Sequence, residues 1–159
     1  MERLDERYRG PSVNVIRQAV VIEAPPEEVW KVVSDPRNLP RWNAHIRSVT
    51  GAPDRELRPG DSYWTELGAM GIHVRVRSTV ESVDRPRSAV VRISGPIRGV
   101  VRTWLRPVGS GRCRLEHEVE YSMAGGPVGA MISAAVKRLG GPTILRRGLT
   151  AQKRQVEAG

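Results

Sequence analysis

The sequence predicts an α+β fold: a curved antiparallel sheet of six to seven strands wrapped around a long, kinked C-terminal helix, with two short helices after the first strand. Three observations predict it. Between residues 62 and 123 apolar and polar side chains alternate with period two, the pattern of half-buried strands. After Gly125-Gly126-Pro127 the period changes to 3.6 and stays there almost to the C-terminus. Between the first strand and the rest, Pro26-Glu27-Glu28 has the composition of a helix start.

The elements follow in order. Asn14 to Ala24 (NVIRQAVVIEA) is rich in β-branched residues and predicts a strand that stops at Pro25-Pro26. Pro26 suits a first helical turn, where a missing N–H costs nothing, and the helix should run to about Val33, burying Val29, Trp30 and Val33. Asp35-Pro36 breaks it, and Asn38 to Asn43 (NLPRWN) predicts a second short helix or turn. Turn signals recur at Gly51 to Asp54 and at Pro59-Gly60-Asp61. Strands are then expected over Ser62–Leu67, Ile72–Val83, Ala89–Ile93, Gly99–Arg106 and Arg112–Met123, with a hairpin turn at Gly109-Ser110-Gly111. In the second of these Ile72, Val74, Val76 and Val80 oppose His73, Arg75, Arg77, Thr79 and Glu81. In the last, Cys113, Leu115, His117, Val119, Tyr121 and Met123 share one face, and Arg112, Arg114, Glu116, Glu118 and Glu120 the other. The faces of Trp64 and Trp104 stay open.

The helical stripe consists of Val128, Met131, Ile132, Ala135, Val136 and Leu139, resuming at Leu145, Leu149 and Val156. Gly140-Gly141-Pro142 interrupts it, which predicts one sharply kinked helix or two in series. A sheet that is apolar on one face needs a cover, and only this stripe is long enough to supply one. A strongly curved sheet cannot touch a helix everywhere. A mostly apolar pocket is therefore expected between them.

The 159 residues fit a single domain over 13–159, preceded by a charged arm over 1–12. One cysteine, Cys113, excludes an internal disulfide, and no Cys/His spacing predicts a metal site. The absence of an apolar leader or a membrane-length run predicts a cytoplasmic protein without a transmembrane segment. The net charge is +9; lysine occurs only at positions 31, 137 and 153, so 23 of the 26 cations are arginine. The arginines are spread singly along the chain, often at alternate strand positions, which predicts solvated strand faces rather than a nucleic-acid surface. Arginine in place of lysine and the lack of phenylalanine also suggest a high-GC bacterial source.

Within this order, the segment Val21 to Trp42 (VIEAPPEEVWKVVSDPRNLPRW) resembles the SRPBCC superfamily, the START-like helix-grip proteins. The resemblance rests on a strand ending in Ala-Pro-Pro, then Glu-x-Val-Trp, Asp35-Pro36, Leu39-Pro40 and Arg41-Trp42, with the hairpin Arg106 to Arg114 (RPVGSGRCR) downstream. It is closest to the polyketide cyclase/dehydratase and lipid-transport branch and covers the chain beyond residue 12. The superfamily places lipid carriers, cyclases, plant allergens and resistance proteins on one scaffold, so the resemblance implies fold more than function.

Several residues are candidates for the site. His117 and Tyr121 lie on the apolar face of the last strand, either as polar fixtures of the pocket or as a satisfied core histidine and a tyrosine reaching the surface. Trp42 and Leu39 fall in the segment that borders the cavity mouth in the resembled proteins; Trp42 either stacks on a planar ligand or packs the helix pair on the sheet. Val76, Leu115, Val119, Met131, Ile132 and Ala135, on the apolar faces of sheet and helix, are the expected ligand-facing walls. His45 and Asp35 are further acid–base candidates with nothing to fix their separation. Arg146, Arg147, Lys153 and Arg154 form the one dense basic group, suited either to an anionic lipid or ligand carboxylate or to a helix C-terminus. No triad order, phosphate loop or dinucleotide fingerprint occurs, and no cofactor is expected.

Three functions compete. The first is binding or carriage of a hydrophobic small molecule, polyketide or lipid-like, as a sequestering or self-resistance protein of secondary metabolism. The second is a cofactor-free polyketide aromatase/cyclase or dehydratase using acid–base groups in the same pocket. The third is an interaction module acting through its basic surface. A monomer or homodimer is compatible with all three.

Overall fold

The computed structural model describes residues 13–159; the charged arm expected over 1–12 lies outside the described residues. β1 (Asn14–Ile22) ends before the two prolines, and Pro26 opens α1 (Pro26–Val33), whose first turn carries Glu27 and Glu28. A 3-10 turn (Pro36–Asn38) follows, capped by the Asp35 carboxylate, which accepts from the Arg37 amide at 3.0 Å. It leads into the single turn of α2 (Leu39–Trp42).

The remaining strands are β2 (Ile46–Thr50), β3 (Ser62–Ala69), β4 (Ile72–Asp84), β5 (Ser88–Ser94), β6 (Ile97–Pro107) and β7 (Cys113–Met123). With β1 they make one antiparallel sheet of seven, in the order β1-β7-β6-β5-β4-β3-β2. β2 has no counterpart among the strands read from the sequence. It is five residues long, too short to display alternation, and it lies at the sheet edge with β3 as its partner. A bulge at Glu81 breaks the alternation of β4, so that Val80 and Val83, three residues apart, both turn inward.

One face of the sheet buries Tyr63, Val76, Val80, Leu105, Cys113 and Leu115. The other is an arginine–glutamate surface. Glu118 accepts from Arg17 at 2.6 Å and from Arg102 at 3.1 Å, and Arg102 also reaches Glu120 at 3.1 Å. Trp64 and Trp104 belong to this outer face: the Arg75 guanidinium lies 4.6 Å from the Trp64 ring centre, and that of Arg17 lies 5.4 Å from Trp104. Part of the arginine content thus serves cross-strand pairing.

The C-terminal stripe forms two helices in series, α3 (Gly126–Leu139) and α4 (Gly141–Glu157). The joint is Gly140, whose φ of +76° is open to glycine and strained for other residues. Gly141 packs closely for a different reason: a Cβ there would stand 2.6 Å from Ile16 Cδ1, so the end of that side chain would have to swing aside. The two helices divide the work differently from the sequence expectation. α4, rather than the Val128–Leu139 ridge, is the helix gripped by the sheet; it packs on β1, α1 and α2 and buries Leu149, Gln152 and Val156. α3 touches β7 and α4 through Gly129, Ile132 and Ala135, and leaves Val128 and Met131 more than half exposed. Two of its three buried residues, Gly129 and Ala135, are small and its stripe is narrow, so it covers only the end of the sheet.

Candidate functional site

The concave face is filled unevenly. Toward β1 and β7, Leu149 and Val156 join Ile22, Val29, Leu105, Cys113 and Leu115 in a closed core. Toward β3–β6 the cover is the α1–α2 pair with the connection 51–61, and a cavity of about 90 Å³ remains beneath it. The helical side supplies Trp30, Val33, Ser34, Pro36, Leu39 and Trp42; the connection supplies Glu56 and Leu57. The sheet supplies Tyr63, Val80, Val83, Ala89, Val91 and Thr103. The lining is overwhelmingly apolar.

Hydrogen bonds fix the aromatic walls. The Trp42 indole donates to Gln155 Oε1 at 2.8 Å, and the Gln155 amide donates to Asn38 Oδ1 at 3.2 Å, tying the cavity roof to α4. The Trp30 indole donates to Glu56 Oε1 at 2.8 Å, and the other Glu56 oxygen accepts from Arg85 at 2.5 Å. The connection carrying Glu56 is itself tied by Asp61, which accepts from Arg55 at 2.7 and 3.0 Å and from the Arg58 amide at 2.7 Å. Those bonds, Arg55 first and the Arg58 amide second, hold the Asp61 carboxyl at about 2. Outside this wall lies a polar crevice of about 220 Å³ lined by Lys31, Asp35, Arg37, Arg55 and Arg85. Trp30, Ser34, Pro36 and Glu56 belong to the walls of both spaces.

The structure distributes the residues singled out by sequence as follows. Leu39 and Trp42 line the cavity, and Trp42 is buried. His117 is buried just behind the wall: its Nδ1 is 2.8 Å from the hydroxyl of Thr103, which does line the cavity, and its Nε2 is 2.9 Å from Gln152 Oε1. Since Gln152 Oε1 can only accept, Nε2 carries the proton and the Thr103 hydroxyl donates to Nδ1. Burial holds the imidazole below its usual pKa, against the opposing hydrogen bond to Gln152, so the ring is neutral. Tyr121 lies under the α3–α4 joint, its hydroxyl 3.6 Å from where a Gly141 Cβ would stand. Asp35 caps its turn, pairs with Arg37 at 3.0 Å and borders the outer crevice. His45 lies beyond α2; its carbonyl accepts from Gly68, and no hydrogen bond joins it to Asp35 among the described residues.

The other expected wall residues sit apart from the cavity. Val76 is buried farther along β4 and Leu115 in the closed core, while Val119 lies opposite Ile16 on β1. Ile132 and Ala135 face inward from α3, and Met131 faces outward. The reason is the one given by the fold: α1 and α2, not α3, roof the hollow part of the sheet. Tyr63, Val80, Ala89 and Val91 were within reach of alternation once the inward face was known. Glu56 and Leu57 belong to an aperiodic connection that carries no such signal. Glu56 and Tyr63 are the ionisable groups on the wall; burial pushes the Tyr63 phenol up, against a hydrogen bond with Ser78, so it is protonated at neutral pH. Among the described residues no three His, Cys, Asp or Glu side chains converge as metal ligands do.

The family model described as polyketide cyclase / dehydrase and lipid transport matches residues 15–157. No curated protein matches the chain in sequence. Among solved structures it is similar to a Thermus thermophilus protein, TTHA0849, with 20% identity over 91% of this chain and 98% of that one and a TM-score of 0.73. It is similar to the Zhui aromatase/cyclase of Streptomyces sp. R1128, with 14% identity over 92% and 94% of the two chains and a TM-score of 0.70. A START superfamily protein of Mycobacterium smegmatis has 19% identity over 91% and 97% and a TM-score of 0.68. At these identities the likeness is one of fold.

Proposed function

The chain belongs to the polyketide cyclase/dehydrase and lipid transport family, and from that premise we propose that it binds a small, largely apolar molecule, polyketide or lipid-like, beneath the α1–α2 pair. The observation that carries the reading is the apolar cavity under Trp30, Leu39 and Trp42. At about 90 Å³ it is smaller than the ~300 Å³ at which small-molecule pockets begin. The outer crevice of about 220 Å³ shares the wall of Trp30, Ser34, Pro36 and Glu56 with it, and the reading requires that this wall, latched by the Trp30–Glu56 hydrogen bond, yield to admit a ligand. Apolar burial supplies affinity, at roughly 25 cal/mol per Å² before association costs.

The competing reading is turnover of a polyketide. It needs an acid and a base facing the substrate, and the wall offers Glu56 and Tyr63. Carriage is favoured because His117 spends both ring nitrogens on Thr103 and Gln152, and Asp35 is committed to Arg37. Native mass spectrometry of freshly purified protein tests the binding reading. A non-covalent adduct is expected that leaves on denaturation and is missing from Ala89→Leu, whose added carbons occupy the cavity. An adduct retained at parent level by a folded Ala89→Leu overturns it. A surrogate poly-ketone cyclised by the parent and not by Glu56→Gln would establish the enzyme reading instead.

A further inference from the structure

The C-terminal helix pair carries charge and apolar surface that the ligand reading leaves unused. From residue 126 onward there are six cations, Lys137, Arg138, Arg146, Arg147, Lys153 and Arg154, against one acid, Glu157. Lys153 is taken up internally, at 2.5 Å from Glu157 and 2.9 Å from the Val21 carbonyl. The other five are exposed, and none has an acidic partner among the described residues. On α3, Val128 and Met131 are 56% and 55% exposed, and Ala130 and Ala134 are exposed beside them. Met131, Ala134 and Arg138 follow at i, i+3 and i+7, so one outward stripe runs from apolar to cationic, opposite the buried Gly129, Ile132 and Ala135. On α4, Arg147 and Arg154 are likewise seven residues apart. They border a surface hollow of about 550 Å³ completed by Thr143, Arg146, Thr150 and Ala151.

Different partners reward different parts of this surface. A nucleic acid pairs with the arginines and gains nothing from Val128 and Met131. A second copy of the chain seated face to face on this surface brings five uncompensated cations against five more. An anionic bilayer rewards both parts: the apolar side chains enter the headgroup boundary while the cations meet lipid phosphates. We propose that α3 and the outer face of α4 dock this protein on anionic membranes. Val128 and Met131 insert, Lys137, Arg138, Arg146, Arg147 and Arg154 pair with phosphate, and the hollow beside Thr150 admits a headgroup. The inference stands independently of what occupies the cavity.

Co-sedimentation of the full chain with vesicles tests it. The protein should bind phosphatidylcholine vesicles containing about 30% phosphatidylserine at roughly 0.1 M salt, ignore pure phosphatidylcholine, and be released at roughly 0.5 M. Each cation contributes about fivefold to partitioning, so Lys137→Glu with Arg138→Glu should weaken binding by at least about 25-fold. Val128→Ser with Met131→Ser should weaken it several-fold at unchanged melting temperature. Ala134→Trp, on the same stripe, should strengthen it at unchanged melting temperature and with no sedimentation in the absence of vesicles. Absence of binding by the parent overturns the proposal. So does binding indifferent to both the serine and the tryptophan variants, or a preference for duplex DNA over anionic vesicles that survives Val128→Ser with Met131→Ser.

Discussion

Replacing His117 by Leu removes a buried ring that joins three elements: Thr103 of β6, its own β7, and Gln152 of α4. Gln152 is 5% exposed and loses its partner in a place water does not reach, at about 1–3 kcal/mol. Thr103 faces the cavity and loses about 1 kcal/mol. Destabilisation of about 2–4 kcal/mol is therefore expected, within the roughly 5–15 kcal/mol that domains possess. The pH dependence separates this account from mere loss of volume. Burial lowers the His117 pKa in the folded chain, whereas the unfolded chain takes up the proton near 6.5. Above that value the ring is neutral in both states and the network keeps its full stability. As pH falls below it the unfolded state alone binds the proton, and stability drains away at up to about 1.4 kcal/mol per pH unit until the folded pKa is reached. Urea unfolding of parent and His117→Leu at about pH 7.5 and 5.5 measures it: the parent should lose more stability than the variant across this window, the loss falling on the acid side of 6.5. Removing both partners is the second arm. His117→Leu with Gln152→Leu should cost clearly less than the two single changes added together, because two apolar groups leave nothing unpaired. Equal acid sensitivity of parent and variant, or strict additivity of the pair, would refute the reasoning.

Four further expectations follow from the same geometry. Ala89→Leu should keep or raise stability by up to about 1 kcal/mol in thermal unfolding while lowering affinity for apolar probes at least about tenfold. Gly129→Ala would place a Cβ 1.6 Å from the Ala124 carbonyl oxygen, backbone that has no rotamer to move, and should cost about 3 kcal/mol or prevent folding, as read by the urea midpoint. Glu56→Ala frees the Trp30 indole and opens the wall between crevice and cavity, so stopped-flow release of a bound probe should accelerate several-fold with stability lowered by about 1 kcal/mol. Asp61, held at about 2, contributes in full above its ordinary 3.8 and loses its contribution as pH falls through 2; Asp61→Asn should remove that part of the acid transition and leave neutral-pH unfolding cooperative.

Local chemistry decided how much of this was legible in the sequence. Strands announced by alternation, the helix start at Pro26 and the break at Gly140 are written in short-range constraints, and the fold followed from them. β2 was hidden because five edge residues carry too little pattern, and the inward turn of Val83 because a bulge obeys no period. The cavity walls were half legible. Leu39 and Trp42 came from the resemblance, but which helix roofs the hollow depends on how two stripes, 128–139 and 145–156, divide one sheet. That is a tertiary choice settled by Leu149 and Val156 packing with Ile22 and Val29. Glu56 reaches Trp30 across 26 residues, through a connection with no periodicity at all.

The central claim is that an apolar molecule lodges between the α1–α2 pair and the β3–β6 part of the sheet. The four tryptophans report on it directly, since Trp30 and Trp42 line that space while Trp64 and Trp104 stand on the opposite face beside Arg75 and Arg17. Titration of the nitrogen-15-labelled protein with 2-naphthol should move the Trp30 and Trp42 indole resonances saturably and leave those of Trp64 and Trp104 in place, with the response lost in Ala89→Leu. Shifts confined to Trp64 and Trp104, or no saturable shift at any of the four, would contradict it.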